Sequence, residues 1–338
     1  MRRFLSRVIA LAAAIVISGI LISRYDAHAA DDNYLAAVLE KDRLIRSTPS
    51  PKLILVGGSN LAFGIDSRML QDSLGLRVVN MGLYAKLGLR YMLAQARPYI
   101  GKGDLVIVVP EYEQFFGEFG NGDFTLNTAL LYAPLDRIGD FSQSYSVIDV
   151  VLRPRVENTR RSFLKGLAQL TGQGQAYQPQ DTNSYYSRQA FDSLGDMVAH
   201  LGRSGLHPDS IYVKEIPPMR EFNAEMVDEL NVVAGVARKR GARAYFLFPA
   251  YIDRSYEVSR PRIDSLRARL ESDMHLPIVG KASDFVLPAP LFFDTRYHLN
   301  QEGRRLRTLR MIQLLRPYAL REVSAVRTSS SCAVAACG

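Results

Sequence analysis

The chain has 338 residues, with 42 Lys+Arg against 34 Asp+Glu, five His and two Cys, for a formal net charge of +8. That length excludes a disulfide-stapled mini-protein, and 47% hydrophobic with 22% charged residues excludes both a disordered chain and a multi-span membrane protein. Two cysteines, Cys332 and Cys337, are too few for zinc-finger or iron–sulfur sites. Any imidazole chemistry must use His28, His200, His207, His275 or His298.

Arg2, Arg3 and Arg7 precede an uncharged run over 8–22, and Ala27-His28-Ala29 follows as a small-x-small site. The pattern predicts an export signal over 1–29, cleaved after Ala29, with an uncleaved anchor over about 5–23 as the alternative. Either puts the remainder in the periplasm, free or anchored to the inner membrane. Without 1–29 the chain carries 38 basic and 33 acidic side chains, a net +5 that argues weakly for any anionic partner. Arg304, Arg305, Arg307 and Arg310 lie in the last helix and are expected on a solvated face. No motif for nucleic acid is present, and none is expected as a partner.

Residues 30–50 read as a polar, helical lead-in. The apolar run 52–56 ends in Gly57-Gly58, as a buried parallel strand does. A short helix over 66–74, a strand over 77–80, helical spacing over 86–99 and a strand over 104–109 follow. Strand–helix–strand alternation predicts a parallel sheet covered by helices. Residues 115–212, rich in Gly, Gln, Ser, Tyr and Asn, read as a long insertion able to shape a cleft. The alternation then resumes with a helix over 220–240 stopped by Gly241, a strand over 244–248, a helix over 257–272 and a short strand over 276–279. A last helix over 303–315 is expected to end near Pro317. One domain over 30–322 results, and 323–338 reads as a flexible tail in which Cys332 and Cys337 could pair.

Functional groups of a parallel sheet gather beyond the carboxyl ends of its strands. Gly57-Gly58-Ser59-Asn60 follows the first strand; it is either a capped turn or a site whose Ser59 N–H meets a developing oxyanion. Asn80-Met81-Gly82 follows the second strand, and Gly82 can offer a bare N–H or simply turn the chain. Pro110-Glu111-Tyr112-Glu113 follows the third, as cleft lining or solvated loop. Asp294 and His298 lie on the loop before the last helix. A serine needs a base to take its proton, and the base needs an acid to orient it. Asp294 and His298 fit those two roles, whereas His200, His207 and His275 have no motif around them.

The order of early Ser and late Asp and His, with Gly57-Gly58-Ser59-Asn60, Asn80-Met81-Gly82 and 294–300, resembles the SGNH (GDSL-like) hydrolase family over roughly 50–318, apart from the insertion. The resemblance implies a flavodoxin-like three-layer α/β/α sandwich with a central parallel sheet. It implies Ser59 as nucleophile, His298 as base and Asp294 as acid, with the N–H groups of Ser59 and Gly82 as oxyanion donors. Three departures stand out. The acid lies four residues before the histidine instead of three. Gly58 replaces an Asp. The Asn that the third segment normally offers to the oxyanion is absent, leaving Tyr112 or Asn60 as replacements and Glu111 as a further substrate-binding group. The expected function is that of an exported serine esterase or O-acyltransferase, needing no cofactor or metal and acting on an acylated cell-envelope or exopolysaccharide glycan. SGNH-like proteins of exopolysaccharide O-acetylation also have an exported domain, so membrane-bound polysaccharide assembly proteins are possible partners. The alternative is a catalytically impaired glycan-binding member of such an assembly. A mononucleotide-binding protein fits poorly, because no Gly-x-Gly-x-x-Gly loop follows the first strand.

Overall fold

The computed structural model describes residues 6–7, 33–132, 145–146, 148–157, 160, 185–211, 213–217 and 219–335, with side chains of the last helix described as far as Ala319. The expected export signal and Cys337 lie outside this range, apart from residues 6–7, and Cys332 is described only as backbone. Among the described residues no helix is long and apolar enough to cross a membrane.

The chain forms two compact units, one drawn from 1–39 and 124–189 and the other from 40–123 and 190–338. The insertion expected over 115–212 is therefore divided. Only 124–189 belongs with the N-terminal residues, whereas 115–123 and 190–211 fold with the sheet. In the smaller unit, Asn33 caps a 3-10 turn (Tyr34–Ala37) by accepting from Leu35 N, and Tyr34 meets Tyr186 edge to face at 5.5 Å. A helix over Phe124–Tyr132 packs on that turn.

The larger unit is an α/β sandwich of three layers. Its sheet comprises β1 (Lys52–Gly57), β2 (Arg77–Asn80), β3 (Leu105–Val109) and β4 (Arg243–Phe246), all parallel, in the order β2-β1-β3-β4. Every residue of β1 and β3 is buried, which is why both read as continuous apolar runs instead of alternating ones. The expected strand over 276–279 adds only a single parallel bridge, Ile278 to Phe246, beside β4. A separate parallel pair, β5 (Tyr251–Ile252) with β6 (Val286–Leu287), had no signal in the sequence because two residues are too few to show a period.

Two groups of helices cover the sheet. We label the helices of this unit α1 (Val38–Ser47), α2 (Ser59–Gly64), α3 (Ser67–Leu74), α4 (Leu89–Ala96), α5 (Glu225–Lys239), α6 (Asp253–Asp273) and α7 (Gln301–Ala335). Helix α7 packs on α2 and α3, while α4 and α5 pack on each other and on β1 and β4. Asp66 starts α3 by accepting from Met69 N, and Gly75 ends it at φ +69°. Helix α7 does not end near Pro317 but runs through it into the expected tail. A proline deletes one N–H, and the Ala319, Leu320, Arg321 and Glu322 that follow are good helix formers.

Lys41 ties α1 to the site end of the sheet. Its fully buried ammonium donates to Asn80 O (2.9 Å) and to Gly195 O, 4.5 Å from the Phe191 ring centroid. Burial lowers its pKa to about 7, against the raising influence of Asp196 and Asp192. An unfolded lysine titrates near 10.4, so between about 7 and 10 the unfolded chain binds the extra proton and stability rises with pH. Urea midpoints of the wild type should therefore climb across that window relative to Lys41→Met. Parallel profiles would show that Lys41 is not held in this buried state.

Candidate active site

The strand order reverses direction between β1 and β3, and in open parallel sheets the ligand site lies beyond the carboxyl ends of the strands at such a point. Gly57 pairs in register with Val109, so two residues further on Ser59 faces Glu111. Glycine is required at the turn. A Cβ on Gly57 would lie 2.4 Å from Val109 O, and one on Gly58 would lie 2.8 Å from Glu111 Oε1. Gly58 is the cap of α2, and Ser59 is its first residue. Ser59 Oγ donates to Glu111 Oε1 at 3.1 Å, and Asn60 N–H donates to the same oxygen at 3.2 Å.

The Asp–His pair forms despite its four-residue spacing. Asp294 and His298 stand on the two arms of a tight loop closed by Phe293 N to His298 O (2.8 Å) and by a bridge between Phe292 and Leu299. Thr295 Oγ1 fills the turn by accepting from the N–H groups of Tyr297 (3.2 Å) and His298 (3.1 Å), which absorbs the extra residue. His298 Nδ1 lies 2.8 Å from Asp294 Oδ1. A carboxylate only accepts, so Nδ1 carries the hydrogen and Nε2 is the basic nitrogen. The imidazole stacks on Phe63, centroids 4.0 Å apart and planes 4° from parallel. Phe63 and Ser59 are four apart on α2 and share a face, so the stack brings His298 to the side of the helix that bears Ser59.

Two carboxylates organise the floor. Burial pushes the Glu111 carboxyl above the ordinary carboxylate value and the charge of Glu113 adds to the rise, while His298 and the bonds from Asn60 and Ser59 oppose it. Glu113 binds the loop itself, accepting from Arg296 at one oxygen and from Tyr297 Oη (2.6 Å) at the other. Tyr297 Oη in turn accepts from Tyr112 N–H (3.1 Å), which fixes the loop to the end of β3.

Of three expected oxyanion donors, two are occupied elsewhere and the third turns away. Gly82 N–H donates to Asn80 Oδ1 at 2.9 Å. The Asn60 amide is fully buried, its Nδ2 on Val109 O (3.1 Å) and its Oδ1 on Arg307 Nη2 (2.9 Å). The Tyr112 ring turns away among Tyr251 and Phe248, and its buried hydroxyl finds no partner among the described residues.

Other residues, absent from the expected set, complete the support. Arg304 and Arg307 do not form a solvated face; both are buried. Arg307 donates to Asn60 O and Oδ1, and Arg304 to Ile65 O (2.5 Å) and Asp196 Oδ2 (2.7 Å). Burial lowers the Arg307 pKa to about 9, with Glu111 opposing. Asp196, wholly buried, also accepts from Ser67 N and Oγ and from Asn80 Nδ2 (2.8 Å). His200 packs against Phe63 (4.8 Å) and donates from Nε2 to Leu299 O (3.1 Å). Burial holds its pKa at about 4, so it stays neutral near pH 7. The arginines had a usable signal: 304, 307, 308, 311 and 315 form one helical stripe, otherwise of Thr, Met and Leu. Asp196 and His200 had none. No group of three or more His, Cys, Asp or Glu able to hold a metal ion occurs among the described residues.

Arg307→Met should strand the Asn60 oxygens and cost about 1–3 kcal/mol in a urea titration, the typical penalty for an unsatisfied buried polar group. An unchanged midpoint would mean that Asn60 is not held by this clamp.

The chain matches no family model and no curated protein, so the reading of the site rests on its own geometry.

Proposed function

We propose that the protein is an exported serine acyl-ester hydrolase or O-acyltransferase of the SGNH type, acting on an acylated cell-envelope or exopolysaccharide glycan. The observation that carries this reading is the convergence on α2. Ser59 opens the helix at the strand-order reversal, and Phe63, one turn on, bears the imidazole of a hydrogen-bonded Asp–His pair. Asp294 fixes the tautomer, and His298 Nε2 takes the Ser59 proton as Oγ attacks the ester carbon. The acyl-enzyme then passes its acyl group to water or to a sugar hydroxyl. Ser59 and His298 are only 5% and 6% exposed, which favours a small acyl group such as acetyl and limits access of water.

One observation favours a second reading, a glycan-binding protein without turnover. Gly82 N–H is engaged by Asn80, and Ser59 Oγ rests on Glu111, so neither donor is directed at a substrate.

The two readings separate in one experiment. The purified domain should hydrolyse p-nitrophenyl acetate, release or transfer acetate from an acetylated glycan, and react with a fluorophosphonate probe. Ser59→Ala and His298→Ala should each lower kcat by about a thousand-fold or more, and Asp294→Asn by about 10³–10⁴. Probe labelling that is equal in wild type and Ser59→Ala, with no turnover in either, would overturn the acyl-transfer reading, and binding of the acetylated glycan by both would then support the second.

A further inference from the structure

The oxyanion remains short of donors. Of the two N–H groups that the resemblance assigned to it, Gly82 N–H is engaged within the chain; so is the amide of Asn60, offered as a replacement donor, and no Asn stands beyond β3. What stands there is Glu111. The register of β1 on β3 sets it opposite Ser59, Gly58 leaves room for its carboxyl, and Gln114 Oε1 fixes its backbone by accepting from Glu111 N at 2.9 Å. The carboxyl is buried and 3.1 Å from the attacking oxygen. That distance is to Oε1; the other oxygen of the same carboxyl, Oε2, is the one left for the oxygen of an ester bound there.

Resting on the acyl-transfer reading of Ser59, we propose that Glu111 is a catalytic residue that works as a neutral carboxylic acid and donates a hydrogen bond to the substrate oxyanion. Oε1 accepts from Ser59 and Asn60, so Oε2 carries the proton. The Ser59 hydroxyl turns from Glu111 Oε1 toward His298 Nε2; as its proton passes to His298, Oγ bonds to the acyl carbon and the carbonyl electron pair moves onto its oxygen. Glu111 hydrogen-bonds that oxygen and keeps its proton. On collapse the carbonyl re-forms, the bond to the leaving alcohol breaks, and His298 returns the proton to the alcohol. A carboxylate in the same place would repel the oxyanion.

The surroundings support the neutral form. Burial is the largest influence on Glu111 and disfavours its charge, and Glu113 on the same turn acts in the same direction. The opposing charges are His298 and Arg296 on the loop before α7 and Arg307 on α7, while Tyr297 on that loop is a buried phenol held protonated. Ser59 and Asn60 on α2 contribute hydrogen bonds and no charge. Arg296 is already paired with Glu113, which leaves less of its charge for Glu111.

Glu111→Gln distinguishes a donor from a base, because an amide donates and cannot take a proton. With p-nitrophenyl acetate, wild-type kcat should fall as pH rises through the Glu111 titration. Glu111→Gln should keep kcat within about ten-fold of wild type at the lower pH and lose that fall. Glu111→Ala should lose on the order of a hundred-fold, as for removal of an oxyanion donor. Glu111→Gln as inactive as Glu111→Ala at every pH, or Glu111→Ala as active as wild type, would overturn the proposal. Fluorophosphonate labelling of Ser59 in each variant serves as the control for folding. If Ser59 is labelled while Glu111→Gln is dead, only the role of Glu111 fails. If Ser59 is never labelled, the acyl-transfer reading fails with it.

Discussion

Two buried guanidiniums under α2 are the constraint on which the larger unit depends. Removing an arginine from water is costly unless its N–H groups are met, and the residues that follow β1 accept from both arginines of α7, leaving Arg307 Nε without a hydrogen bond among the described residues. Arg307 grips Asn60, next to Ser59, across 247 positions of sequence, and Arg304 grips Ile65 at the end of the same helix. These bonds join the first strand–helix unit to the last helix, whose preceding loop carries Asp294 and His298. Gly64 is part of the arrangement, because a Cβ there would lie 2.4 Å from Arg307 Nη1. The candidate nucleophile and its base are thus positioned by the same helix, one through its side chains and the other through its leading loop.

Asp196 extends the clamp to a third part of the chain. Its carboxylate receives Arg304, the start of α3 and the Asn80 amide, while Lys41 reaches Asn80 O and Gly195 O from behind. Asn80 has every polar group occupied, which explains both why β2 ends where it does and why Gly82 N–H points at Asn80. Gly82 is itself irreplaceable, since a Cβ would meet Ala62 N and Leu61 Cβ at 2.7 Å. A glycine that resembles an oxyanion donor in sequence is here a packing glycine whose N–H closes a local turn. The polar residues below the crevice satisfy one another, and the groups left to face a substrate are few.

The sheet was legible because burial on both faces leaves an unmistakable signature: KLILVG and DLVIVV have no polar interruption beyond their first residues. The Asp–His pair was legible as chemistry, but its geometry was not, since the accommodation of a fourth residue depends on Thr295 and on the closure of Phe293 with His298. Arg304 and Arg307 were misread because composition suggests that arginines are solvated. Their place in the apolar stripe of α7 is the better guide, and it requires knowing which face packs. Asp196 and His200 were illegible for a different reason. They sit in a polar, irregular segment, and only the folded chain shows that this segment packs behind β2 and Phe63.

Burial at this site works in two directions at once. The same exclusion of water that raises the cost of charge on Glu111 strengthens the bond between Asp294 and His298, and on the proposed function it would shield an acyl-enzyme from hydrolysis. Ser59 and His298 are almost covered, and burial disfavours charge on the Glu111 carboxyl that Ser59 meets. On the proposed function, the exposure of Ser59 bears on the balance between esterase and acyltransferase alongside the Asp–His pair. Residues that cover Ser59 without touching the acyl group are the ones whose loss would shift it toward hydrolysis.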